Sequence, residues 1–250
     1  MKRLLPILLL VLSTGVGAHP PYSERAAKKD AWEIYKDHRT TFYCGCDYRK
    51  ENGRRVLDLG SCGYRVSHNT WKANQFNWEH VVPVSVLAAK LDCYNVEKHR
   101  RKGKSRRNYC KNAADPAYDE RVSDLHNLVP SIGEINSDRS NHSFATFEND
   151  SDFHPSTHYG ECKFRIKVSQ KRGEKGHVEP PERARGAIAR IYLYMEKKYG
   201  DVLNQREKIL FNKWTADYPV TKWECERDRR IFKHQRDHNE FVVSQCNSRD

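Results

Sequence analysis

After the apolar run from Leu4 to Leu12 the chain has no second long hydrophobic stretch. That excludes a permanent bilayer-spanning helix, which needs about 20 consecutive apolar residues. There is no internal repeat and no long linker, so neither a solenoid nor a string of modules is indicated. No His-Glu-x-x-His occurs, which argues against a common zinc protease. The pair Cys44 and Cys46 has the wrong separation for a Cys-x2-Cys zinc knuckle. Acid is in short supply: 33 Asp and Glu stand against 45 Lys and Arg, a formal charge of +12. Such an excess draws a protein to polyanions, nucleic acid first, although a membrane or glycan surface attracts in the same way.

What is present at the start is the layout of a secretory signal peptide: Met1-Lys2-Arg3, the apolar core, then Gly15-Val16-Gly17-Ala18, with cleavage expected after Ala18. The mature chain, 19–250, is long enough for one domain with a real core and is expected in the periplasm or outside the cell. Subtracting Lys2 and Arg3 from +12 leaves it at +10. Eight cysteines in an exported chain read as up to four disulfides, whose full pairing has about 105 possibilities. Cys93 and Cys110 bracket the most basic segment and are the first pair expected. Within it, Lys98 to Arg107 carries seven Lys or Arg. So dense a run stays in water, either as a solvated loop or as a phosphate-gripping arm, and a tether at both ends favours the arm.

Helical periodicity recurs at both ends of the mature chain. Ala27, Ala31, Ile34 and Tyr35 are spaced for a packing helix between Glu24 and His38. Thr40 to Tyr43 and Arg54 to Leu59 are β-like runs, and Asn52-Gly53 between them accepts the positive φ of a hairpin turn. Val84 to Leu91 suits a short helix. Behind Pro180-Pro181-Glu182, the residues Ala184, Ile188, Ile191 and Met195 form one apolar stripe that Gly200 would cap. Arg183, Arg185 and Arg190 lie mostly off that stripe and are open to substrate. Thr221-Lys222-Trp223-Glu224 fits a capping box and should start a helix toward Phe232 and His234. Leu203, Ile209, Leu210, Phe211 and Trp214 give another helix its apolar side. The expected fold class is α+β, a mainly helical single domain holding a small β-hairpin.

The chemistry-bearing stretches are Phe76-Asn77-Trp78-Glu79-His80-Val81-Val82-Pro83 and Asp124-Leu125-His126-Asn127-Leu128. The first reads as a strand that must end at the proline, so Glu79 and His80 fall at its terminus, beside a cleft. Phosphodiester hydrolysis needs an aimed water, a base, a cation and a proton source. A neutral imidazole at His80 suits the base. Glu79 and Asn127 offer one charged and one neutral oxygen, which suits Mg2+, with Mn2+ or Ca2+ able to replace it in binding. Neighbouring residues on a regular strand face opposite ways, so Glu79 and His80 converge only if the strand ends or twists there. Each has an ordinary alternative: surface neighbours for the Glu-His pair, and helix capping by Asp124 or Asn127. His126 reads as a structural neighbour, and Pro155 spoils His154 and His158 as a helical zinc pair. A secreted non-catalytic polyanion-binding protein would explain the charge and the cysteines, but not Glu79, His80 and Asn127.

These stretches resemble the bacterial endonuclease I family of periplasmic and secreted nonspecific nucleases. Further matching blocks run from Gly133 to Arg139, from Pro180 to Arg190 and from Tyr218 to Cys225, in order over nearly the whole mature chain. The resemblance implies a ββα-metal (His-Me finger) active site, with His80 as general base and Glu79 and Asn127 as the ligands of one Mg2+. It also implies an arginine at the phosphate just before the cysteine that closes the basic loop, which Arg106 matches and Arg107 neighbours. That loop, Asn95 to Arg107, is longer and more basic than is usual in the family, so the choice between the two stays open. The implied substrate is DNA, often RNA, cut with little sequence preference to leave 5′-phosphate ends. A monomer without a membrane partner is expected.

Overall fold

The computed structural model describes residues 23–95, 105–148, 158–169 and 175–246. The expected signal peptide, most of the basic run and His154 lie outside them. Ten helices and seven strands are present among the described residues, in line with an α+β fold. Helix α1 (Glu24–Ile34) starts where the Ser23 side chain accepts from the Ala26 amide, and it buries Ala27, Ala31 and Ile34. The hairpin that follows pairs β1 (Asp47–Glu51) with β2 (Arg54–Asp58). Asn52 and Gly53 turn it with φ of 49° and 78°, the two positive values of a two-residue loop. The partner of β2 is therefore the segment after Cys46 and not 40–43, of which only Thr40 forms a bridge. A short α2 (Thr70–Ala73) then leads into the central element.

That element is β3 (Phe76–His80), antiparallel to β4 (Leu128–Ile132), with Glu79 opposite Val129 and His80 opposite Leu128. Pro130 is tolerated because the sheet has only two strands, and its carbonyl accepts from Phe42 N at 2.8 Å. Helix α6 (Gly133–Arg139) leaves β4 without a loop. A side chain at Gly133 would meet the Lys72 carbonyl at 2.7 Å, so glycine is what lets α6 start tight against the turn before β3. Between β3 and β4 run α3 (Val84–Leu87), α4 (Arg106–Asn112) and α5 (Pro116–Ser123). They enclose a small satellite core of Val84, Ala88, Tyr118 and Val122 around the Cys93–Cys110 disulfide. Strands β5 (Ser143–Phe144), β6 (Arg165–Lys167) and β7 (His177–Glu179) form a third small sheet, in the order β5-β7-β6.

The carboxyl-terminal layer holds α7 (Glu182–Tyr199), α8 (Gln205–Asp217), α9 (Lys222–Gln235) and α10 (Glu240–Cys246). The stripe Ala184, Ile188, Ile191 and Met195 is buried, and the Thr221–Glu224 capping box is made in both directions. Phe211 and Trp214 of α8 are buried as expected, whereas Ile209 is 63% exposed. Three arginines of α7 are braces and not free cations. Arg190 is buried in a bidentate pair with Glu224, Arg183 donates to the Thr41 and Phe42 carbonyls, and Arg185 pairs with Glu179. Besides Cys93–Cys110, the disulfides are Cys44–Cys162, Cys46–Cys62 and Cys225–Cys246.

Candidate active site

Pairing between β3 and β4 stops at His80, but the chain after it is not released. Asn127 is the last residue of a single 3-10 turn, Leu125–Asn127, whose first amides Asp124 caps by accepting from His126 N. Asp124 is the residue that caps. Asn127 does something else: its Oδ1 accepts from Val82 N at 2.7 Å and its Nδ2 donates to Val82 O at 3.0 Å, while Val81 N reaches the Asn127 carbonyl at 3.1 Å. A side-chain amide thus extends the strand pairing by one residue. Arg139, at the end of α6 and 1% exposed, works on the same segment. Its guanidinium donates to the carbonyls of His80 and Val81 and to the Tyr192 hydroxyl, and lies 3.3 Å from Glu79 Oε1. Two residues distant in sequence, Asn127 and Arg139, thus meet at positions 79–82.

Glu79 and His80 are both buried, Glu79 against Tyr43 and Arg139 and His80 against Val122. The Glu79 Oε1 accepts from Tyr43 OH at 3.2 Å as well as facing Arg139. Loss of water pushes its carboxyl up to about 7, with the Arg139 charge and the Tyr43 bond pulling the other way. His80 Nε2 sits 2.8 Å from the Val122 carbonyl. A carbonyl only accepts, so Nε2 carries the proton and Nδ1 keeps the lone pair. Burial drives the imidazole down to about 4, so the ring is neutral at neutral pH. The cations whose charges bear on His80 are Arg107, which α4 holds against Glu24 of α1, and Lys28. Arg106, the neighbour, lies instead 5.8 Å from the Tyr94 ring centroid and is exposed.

Residues 24–246 match the Endonuclease I family. The chain is 40% identical to an Endonuclease-1 of Buchnera aphidicola over 220 residues, covering 88% of this chain and 80% of that one. It is 38% identical to an extracellular deoxyribonuclease of Aeromonas hydrophila, covering 89% of each chain. A periplasmic deoxyribonuclease of the same organism is 35% identical over 96% of this chain and 93% of its own. The chain belongs to the Endonuclease I family. It is accordingly a nuclease, a hydrolase of phosphodiester bonds.

Sequence reasoning gave no role to Arg139 or Tyr43, the two groups that contact the Glu79 carboxylate. Nothing separates Arg139 from the other basic residues except its place at the end of a family-like block. Reasoning also passed over His68, Glu134 and Asp138, which this Endonuclease I chain gathers close enough to hold an ion. Glu134 and Asp138 are one turn apart on α6, and His68 Nε2 is 3.3 Å from Asp138 Oδ1. The Glu134 carboxylate, however, already accepts from Tyr64 OH and from the amides of Ser67, His68 and Asn69. Four donors on two oxygens engage its lone pairs, so this carboxylate anchors the 64–69 loop. His126 is the structural neighbour expected: buried, with Nε2 3.1 Å from the Asp237 carbonyl.

Proposed function

We propose that this Endonuclease I family member is an exported, Mg2+-dependent, nonspecific endonuclease that cuts DNA, and RNA as well, leaving 5′-phosphate ends. The observation that carries the reading is the locked, neutral His80 ring at the end of β3. A buried imidazole with Nε2 committed to a carbonyl has one nitrogen, Nδ1, with which to take a proton from an attacking water. Glu79 and Asn127 would hold the metal. Their donor set fits: one carboxylate and one amide oxygen are hard ligands of the kind Mg2+ accepts through few protein groups. The Tyr43 and Arg139 contacts of Glu79 both fall on Oε1, and Asn127 Oδ1 retains a second lone pair beyond its bond to Val82. When bound, the ion neutralises charge gathering on the phosphate oxygens. Arg139 keeps the Glu79 carboxylate directed and the strand end rigid. Of the two arginines that open α4, the phosphate contact goes to the exposed Arg106, with Arg107, which is paired with Glu24, beside it.

Export rests on the layout of residues 1–18 and on relatives named as extracellular and periplasmic deoxyribonucleases. No helix among the described residues is long and apolar enough to cross a membrane. The test is nicking of supercoiled plasmid and hydrolysis of RNA with Mg2+ and with EDTA, followed by end-group analysis. The reading expects cleavage with Mg2+ alone and 5′-phosphate termini. Cutting that persists in EDTA, or 3′-phosphate ends, would overturn it.

A further inference from the structure

The chemistry proposed above uses one end of β3, and a basic surface runs from beside that end, at Glu24 and Lys28, to the other, at Phe76. A groove of about 1270 Å³ separates α1 from the β1–β2 hairpin. Arg25, Lys28 and Lys29 line it from α1, and Lys50, Arg54 and Arg55 line it from the hairpin. Lys111 of α4 joins them, against Glu24 and Glu33 as the acids. The charge of Glu24 is already taken up by Lys28, Arg107 and Lys111. Arg25, Lys29, Lys50 and Arg54 are exposed and form no ion pair with any described residue. Like charges held together on two facing walls repel unless an anion lies between them.

The groove is built for phosphate and not for bases. Its rings, Trp32 and Phe76, both carry the Arg55 guanidinium, 5.5 and 5.2 Å from their centroids, and Arg39 lies 5.2 Å from Trp32. A stacking platform for a base needs an open ring face, and these are covered. Phe76, on the groove floor, begins the strand that ends at His80. Four residues at about 3.3 Å put the groove's Phe76 end about 13 Å along the strand from His80, close to four base-pair steps of about 3.4 Å.

Resting on the nuclease reading, we propose that the Phe76 end of the groove between α1 and the β1–β2 hairpin holds the sugar-phosphate backbone of the substrate about four nucleotides or more from the scissile bond. It binds by charge alone, so it adds affinity and reach without sequence preference. The experiment measures binding of a duplex of about 30 base pairs to the His80→Ala protein by fluorescence anisotropy as salt rises from about 50 to 200 mM. Lys29→Ala with Arg54→Ala removes two groove cations. Arg206→Ala with Lys213→Ala removes two exposed cations of α8, outside the groove. Each lost phosphate contact lowers the slope of log affinity against log salt by about 0.9, so the groove variant should lose nearly 2 and bind about tenfold or more weakly, while the α8 variant keeps the parent slope. An unchanged slope in the groove variant, or an equal fall in both, would overturn the proposal. Failure of the parent protein to bind duplex at all would instead bring down the nuclease reading beneath it.

Discussion

Two side chains decide most of the account at the scale of single residues. His80 is assigned the proton transfer and no share of substrate affinity, so His80→Ala should slow cleavage by about 10²- to 10⁴-fold while duplex binding stays within a factor of a few. Single-turnover cleavage beside anisotropy measures both, and a variant that cut at the parent rate would end the assignment. Arg139 carries the other load. It is buried against the Glu79 carboxylate and the carbonyls of His80 and Val81. Arg139→Leu takes a donor from the His80 and Val81 carbonyls and leaves the carboxylate without a cation, a change that costs about 3–5 kcal/mol when a buried pair is broken. Urea unfolding should show that loss. Equal midpoints for variant and parent would mean the strand end is held some other way.

Among the elements, α1 and α4 form one mechanical unit, joined by Glu24 through Arg107 and Lys111. Burial by itself would raise the Glu24 carboxyl, but hydrogen bonds from Lys111 and Lys28 and the Arg107 charge outweigh it and bring it from 4.5 down to about 2. A carboxyl depressed on folding stabilises the protein above its ordinary value, and that stabilisation is lost as pH falls through the folded one. Thermal unfolding of the parent should therefore lose stability between pH about 5 and about 2. Glu24→Gln, already weakened by about 1.5–3 kcal/mol at neutral pH, should lose less over that window. Parallel curves for the two proteins would refute the role of Glu24. Elements of this kind differ in how well the chain announces them. The stripe of α7, the Thr221–Glu224 capping box and the Asn52-Gly53 turn are local patterns, and each is where its pattern puts it. The partner of β2, the clamp of Asn127 on Val82 and the burial of Arg190 depend on contacts between residues far apart, which no short window carries. For the same reason Glu79, His80 and Asn127 could be picked out as chemistry-bearing, whereas Arg139 and Tyr43 emerge only once β3 and α6 are packed together.

For the molecule as a whole, four disulfides tie the layers, and Cys44–Cys162 alone spans 118 residues. Removing native disulfides from secreted domains commonly costs about 2–5 kcal/mol. Reduction should thus inactivate the enzyme, which would keep it harmless before export; full nicking activity in excess dithiothreitol would contradict this. Two places compete for a divalent ion: the strand end with Glu79 and Asn127, where we propose it, and the cluster of His68, Glu134 and Asp138. An anomalous difference map from crystals soaked in Mn2+ chooses between them. A peak bounded by Glu79 and Asn127, with none at His68, is the result predicted here. A peak at His68, Glu134 and Asp138 with nothing beside Glu79 would contradict the account at its centre.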